Sequence, residues 1–343
     1  MNSSLQKTAG PLQEKFSGCL LGGIIGDVIG APVEAESAGY IRKTFRDIDE
    51  ILALRSVPEL IAGEWKVGRF TDDTQMALCV AEWLAHETQL DGKRLMERFC
   101  QAYEPWRHYG PGARLILESF PSARDKWPEL ATAMFPQGSY GNGSAMRVAP
   151  VGLFLHNDLA GIIKVARTSS AVTHSHSLAI QGAVLQAAGV ALAVRGPLDR
   201  AQFLRILNVT LAAFEEIGQD TSTYKRALAS MAKGIEDGVS PDKMAKVLGN
   251  GIKAQEAVPM AVYCFLANHT SFEKAVEAAV FIGGDTDTIA SMTGAISGAA
   301  LGESQIPQRW LRRVRENIYT PDKVRQLAFE LYEKGQRYNF KAR

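Results

Sequence analysis

This sequence predicts an all-α fold on three observations. Apolar residues recur at helical spacing along most of the chain, no convincing run alternates with period two, and small residues recur at every fourth position in three segments.

In chain order, Met1 to Glu14 are polar, carry Gly10-Pro11, and read as a mobile N-terminal arm. The apolar stretch from Phe16 to Val33 follows as a first helix, with Gly18, Gly22, Gly26 and Gly30 on one face. Asp27 interrupts it. A signal peptide needs a basic start and an unbroken apolar core, and a membrane span needs roughly 20 uninterrupted apolar residues; neither pattern fits. After Thr71, a natural N-cap, Met76, Cys79, Val80, Trp83 and Leu84 form one apolar stripe on a second helix. Ala179, Ala183, Ala187 and Ala191 line another helix, which Gly196-Pro197 closes. Thr270 and Glu273 have the spacing of a capping box, ahead of Phe272, Val276, Ala279 and Val280 on one face. Gly283-Gly284 ends that helix, and a new one begins near Asp287 with Gly294, Gly298 and Gly302 in register. Each interior glycine costs about 1 kcal/mol relative to alanine in a helix. Repetition of that cost on single faces implies backbones in close approach, hence a tightly packed central helix layer. With no internal repeat and no low-complexity linker, residues 15–343 read as one helical domain.

The charge balance, 38 basic against 37 acidic residues, disfavours nucleic acid or a membrane as partner. The locally basic tail from Trp310 to Arg325 reads as a solvated helix face. Cys19, Cys79, Cys100 and Cys264 lie in apolar runs without a CxxC pair, as expected of reduced thiols in a cytoplasmic protein.

Two acidic clusters carry the chemistry: Thr71-Asp72-Asp73-Thr74, and Gly284-Asp285-Thr286-Asp287-Thr288. Both fall at predicted helix N-termini, where carboxylates are favoured as simple caps. One capping residue suffices for a helix, however, and each cluster offers two carboxylates and a hydroxyl. Four carboxylates meeting in one place would repel without cations. Hard oxygen donors with no His or Cys suit Mg²⁺ or Mn²⁺, and two metals sharing the four would account for both clusters.

At these residues the chain resembles the ADP-ribosylglycohydrolase family. The resemblance runs from about Phe16 to Gly302 and rests on five ordered blocks: GCLLGGIIGDVIGAPVE (Gly18 to Glu34), FTDDT (Phe70 to Thr74), GSYGNGSAMRVAP (Gly138 to Pro150), THSHS (Thr173 to Ser177) and GGDTDT (Gly283 to Thr288). It implies a compact multi-helix bundle with a dinuclear metal site in a central cleft. Thr71, Asp72, Asp73, Asp285, Asp287 and Thr288 match the family's ligands for two Mg²⁺ or Mn²⁺ ions. Glu34 matches a glutamate assigned to catalysis in some members. Gly138, Ser139, Tyr140 and Asn142 match the loop that holds the ADP-ribose diphosphate and distal ribose, His174 matches a histidine near the substrate, and Gly110 and Gly112 resemble a second phosphate-facing loop.

The implied activity is metal-dependent removal of ADP-ribose from modified protein side chains, arginine-linked favoured. Serine-linked ADP-ribose or a free ADP-ribose conjugate are alternative substrates. A different class of role is a binding or blocking module, with the N-terminal arm contacting an ADP-ribosyltransferase or its modified target. The residues agree with the enzymatic reading: glycine-rich loops let backbone N–H groups reach a diphosphate, Tyr140 can stack on adenine or ribose, and carboxylates stabilise an oxocarbenium-like transition state. His174 and His176 lack a third zinc ligand. Gly141-Asn-Gly143 lacks the strand and third glycine of a dinucleotide fingerprint, and the tryptophans read as core or cleft wall.

Overall fold

The computed structural model describes residues 10–59, 63–196 and 199–341. The elements that position the site are, in chain order, α1 (Pro11–Gly30), a hairpin of β1 (Ser56–Glu59) and β2 (Gly63–Lys66), then α2 (Asp72–His86), α3 (Pro111–Ser119), α4 (Ser177–Arg195), α5 (Ala254–Ala267), α6 (Phe272–Phe281), α7 (Thr286–Leu301) and α8 (Pro321–Lys341). Shorter helical turns connect them.

The centre is the pair α1–α7, and its glycines explain the pairing. A Cβ on Gly18 would stand 2.6 Å from the Gly298 carbonyl oxygen, and one on Gly22, Gly26 or Gly30 would strike the backbone of Gly294, Ala290 or Thr286. The expected small-residue faces therefore meet each other, backbone to backbone. Gly302 ends α7 with φ +86° instead of continuing its face. Around this pair, α4 and α5 pack on one side and α6 covers another. The alanine stripe of α4 is fully buried. Among the described residues two helices, α1 with its following turn and α4, are long and apolar enough to cross a membrane; both are mostly buried inside the protein, as core helices.

Gly26→Ala should cost about 1–3 kcal/mol by overpacking, although alanine is ordinarily the better helix former by about 1 kcal/mol. Gly39→Ala, where the nearest atom to an added Cβ is 4.0 Å away, is the control. Denaturant titration of both variants checks this; equal midpoints would contradict the close approach.

Several expectations need correction. The arm boundary expected at residue 14 falls inside α1, because Pro11 at its first position pre-sets the helix and Glu14 N bonds to Gly10 O at 3.0 Å. Residues 1–9, on which the arm's partner contact rests, lie outside the described residues. The helix expected to open at Thr270 is capped one residue later: Ser271 accepts from Lys274 N, so the Thr270–Glu273 box does not form. The hairpin pairing Val57 with Trp65 was not anticipated. The basic tail is only partly helical, and its Arg325 pairs with Glu303 and Asp322. Cys19, Cys79 and Cys264 are buried free thiols as expected, and Cys100 is half-buried.

Candidate active site

The α1–α7 contact brings the two ends of the chain's acidic chemistry together. Glu34 follows α1 after a single 3₁₀ turn (Ala31–Val33), and Asp285 and Asp287 open α7. The loop after Glu34 is sewn to the loop before α7: Ala35 N bonds to Gly284 O (2.8 Å) and Gly284 N to Glu36 O (2.9 Å). Gly283 and Gly284 make this possible. Both take positive φ (+70° and +78°), and a Cβ on Gly283 would stand 2.5 Å from Ala38 N.

The first cluster is delivered by α2. Thr71 caps that helix, its hydroxyl accepting from Asp73 N at 3.3 Å. Asp27, fully buried on α1, accepts from Thr71 N (3.0 Å) and Thr74 N (3.1 Å) and so fastens the acidic turn to the central helix. From the other side Asp72 N bonds to Arg107 O (2.7 Å), and the Arg107 guanidinium binds Phe70 O (2.7 Å) and Glu316 (2.9 Å).

The two clusters meet. The Thr288 hydroxyl donates to Asp73 Oδ2 at 3.3 Å, and oxygen atoms of Glu34, Asp285 and Asp287 lie within 4.8 Å of one another. Asn142 donates its amide to Asp285. Burial, then the neighbouring Asp27 and Glu34, push Asp72 up to about 8; burial and Glu34 push Asp285 up to about 6. Burial and the surrounding carboxylates also hold Asp73 and Asp287 well above the usual carboxylate range. The Oδ1 atom of Asp73 is buried without a hydrogen-bond partner among the described residues. A buried nest of hard oxygen donors with an unsatisfied lone pair fits a divalent cation. Glu34, expected as a catalytic residue outside the ligand set, stands close enough to be part of it.

The electrostatics give a pH prediction. Folded-state values above the roughly 4 of an unfolded carboxylate mean that the folded protein binds more protons between the two. The stability that these carboxylates contribute to the metal-free protein is therefore fully present below about pH 4 and is lost as pH rises through the Asp285 value of about 6 to the Asp72 value of about 8. Thermal unfolding in EDTA should fall on the order of 5 °C across that window, and Mg²⁺ should flatten the slope. A melting temperature that rises with pH in EDTA would contradict the carboxylate arrangement.

A cavity opens over the cluster. It is lined by Glu34, Asp72, Asp73, Asp285, Asp287 and Thr288 of the acidic clusters, by Gly110, Gly112, Ser139, Gly141, Asn142 and Gly143 of the glycine-rich segments, and by Ile116, Leu130, Met134, Phe135 and Ile252 as an apolar shelf. His174 also lines it, under the loop, where a Cβ on Gly143 would meet its ring at 2.7 Å. Burial and the nearby Arg147 push His174 down to about 3, so it stays neutral, its Nδ1 2.8 Å from the Thr173 hydroxyl. His176 instead caps α4 by accepting from Leu178 N, and so takes no part in a histidine pair.

Three expected site residues are not among those lining the cavity. Thr71 is fully buried and serves as the cap. Gly138 takes φ +82° to turn the loop. Tyr140 is half exposed, its ring edge-on to His176 at 5.7 Å. The shelf residues and His108, which touches Glu34, were not anticipated. His108, Met134 and Phe135 stand close to Tyr109-Gly-Pro-Gly and Gly138–Gly143 in the sequence, whereas nothing local marks Ile252.

The ADP-ribosylglycohydrolase family profile matches residues 8–339. The chain is 32% identical to the ADP-ribosylhydrolase ARH3 of Bos taurus over 346 residues, covering 94% of each protein. It is 32% identical to that of Homo sapiens over 321 residues, covering 86% of this chain and 88% of the relative. A solved structure titled ADP-ribosylglycohydrolase-related protein complex superposes with a TM-score of 0.69 at 26% identity, over 94% of this chain and 99% of the other.

Proposed function

The chain belongs to the ADP-ribosylglycohydrolase family and is a glycohydrolase enzyme, and we propose that it frees ADP-ribose from hydroxyl-linked (serine-type) side chains with two divalent cations, Mg²⁺ or Mn²⁺. The observation that carries this reading is the make-up of one cavity: a carboxylate nest, glycine-rich segments and a set of apolar side chains all line it. Those three linings suit the reacting ribose, the diphosphate and the adenine of one ligand. Backbone N–H groups of the glycine loops would take the diphosphate, and Phe135 with Met134 and Ile252 would cover the base.

Asp72, Asp73, Asp285, Asp287 and Thr288 would hold the cations, with Thr71 behind them as the cap that sets Asp73. When bound, such cations polarise ribose hydroxyls and water. Glu34 moves the proton: its carboxylate activates water or returns a proton to the leaving oxygen. Asn142 keeps Asp285 turned into the nest. The same acids stabilise the positive charge that develops on the ribose as the glycosidic bond breaks.

What supports the hydroxyl linkage is the work the acids are already doing. Among the described residues lining the cavity, every carboxylate belongs to the nest, so none is left to pair with the guanidinium that an arginine-linked substrate would present. A serine oxygen leaves with one proton and needs no such partner. On this reading the hydroxyl-linked alternative is favoured over the arginine preference expected from the sequence.

The test is ADP-ribose release from matched serine- and arginine-modified peptides, in Mg²⁺, in Mn²⁺ and in EDTA. We expect metal-dependent release from the serine peptide at least about 10-fold faster than from the arginine peptide, a difference of about 1.4 kcal/mol in transition-state stabilisation. Faster release from the arginine peptide would reverse the linkage, and release that persists in EDTA would remove the metal.

A further inference from the structure

Glu34 is the most exposed acid of the site. Its side chain is 35% exposed while it faces Asp285 and Asp287 across 4.8 Å or less, so rotation outward into water is open to it. Among the described residues, the His108 side chain opposes that rotation. With its proton on Nδ1, His108 donates to Glu34 Oε2 at 3.1 Å.

The surroundings of His108 are built to hold it there. It takes φ +61°, a conformation that costs a non-glycine residue free energy, and Ala35 beside Glu34 takes φ +64°. These are the only non-glycine residues with positive φ among the described residues, and they flank the same contact. The His108 ring packs at a 46° tilt against Trp65 of β2, with centroids 4.4 Å apart, and Trp65 is buried. Its neighbours are anchored too: Arg107 by Glu104 and Glu316, Tyr109 by its hydroxyl on Gln75 at 2.6 Å. Backbone strain at a residue whose side chain meets the proposed acid points to a role for that side chain, since glycine would sit there without cost.

We propose that His108 is a positioning residue for the reaction, holding the Glu34 carboxylate turned towards the aspartate nest instead of outward into water. The inference rests on the assignment of Glu34 above. Without His108, Glu34 samples outward rotamers and spends less time in reach of the leaving oxygen, so kcat falls while the remote diphosphate and adenine contacts persist.

The experiment compares His108→Gly and His108→Asn with the parent and with Glu34→Gln, on the serine-modified peptide with Mg²⁺. We expect His108→Gly to lose on the order of 10-fold in kcat. Its KM and its affinity for free ADP-ribose should stay within about twofold of the parent, and its melting temperature should be no lower, because glycine adopts the backbone freely. Asparagine tolerates positive φ and places an amide N–H near Nδ1, so His108→Asn should keep kcat within about threefold of the parent.

A His108→Gly enzyme as fast as the parent, beside an inactive Glu34→Gln, overturns this inference alone. A loss of kcat accompanied by an equal loss of ADP-ribose affinity and of thermal stability overturns it as well, since that pattern marks a structural residue. Parental turnover in Glu34→Gln overturns it together with the assignment of Glu34.

Discussion

Glu34→Gln should lower turnover by on the order of 10²–10⁴-fold, the range general acid–base groups contribute, while free ADP-ribose binds as before. Glutamine matches glutamate in size and keeps an oxygen to accept from His108, 3.1 Å from the carboxylate. It cannot take up or return a proton. Because Gln also removes one negative charge from beside Asp72, Asp285 and Asp287, all of which Glu34 pushes upward, cation affinity should change in parallel with the charge and not with turnover. Single-turnover release beside calorimetric binding of ADP-ribose and Mg²⁺ separates these effects. A glutamine variant that turns over at the parental rate would leave Glu34 without its assigned role.

Asp285→Asn should lose turnover on the order of 10³-fold at a Mg²⁺ concentration that saturates the parent, because several kcal/mol of charge stabilisation depend on the cation. The isosteric change spares the fold. The backbone of Asp285 still bonds to Asn250 O at 2.9 Å, and α7 still starts one residue on. What changes is the oxygen that Asn142 orients, which becomes a weaker ligand or turns its amide N–H inward. Excess Mn²⁺ should recover part of the loss, and a metal titration read by turnover and by thermal shift follows it. Undiminished turnover without a shift in metal dependence would take Asp285 out of the ligand set.

Much of this architecture was legible in the sequence because its signals are local. Thr71 caps α2 as its hydroxyl and the apolar stripe behind it required, and the glycines of α1 and α7 declared a close approach before either helix had a partner. Both acid clusters were recognisable for the same reason: capping carboxylates must sit at fixed offsets from a helix start. Ser271, not Thr270, is the cap of α6, one of two adjacent hydroxyls of which only one can fill the role. The strands of the hairpin are four residues each, one containing Pro58, too short to show a period.

What sequence could not reveal lies in pairs far apart along the chain. Glu34 and His108 are 74 residues apart, Arg107 and Glu316 are 209 apart, and nothing local in either member names the other. Asp27 was visible as a break in an apolar run, yet its purpose, holding Thr71 and Thr74, needs the α1–α2 contact to be seen.

The glycine contact between α1 and α7 has a consequence for how such a protein can diversify. Gly30 sits directly on the backbone of Thr286 and Asp287, so the acid after α1 and the acids opening α7 share one fixed alignment, as two rulers clamped edge to edge. One residue inserted into either helix would turn everything beyond it by about 100° and shift it by about 1.5 Å, destroying the glycine register along the whole seam. Length change is thus barred from these two helices. Loops outside this seam carry no such register, and length can change there without disturbing it.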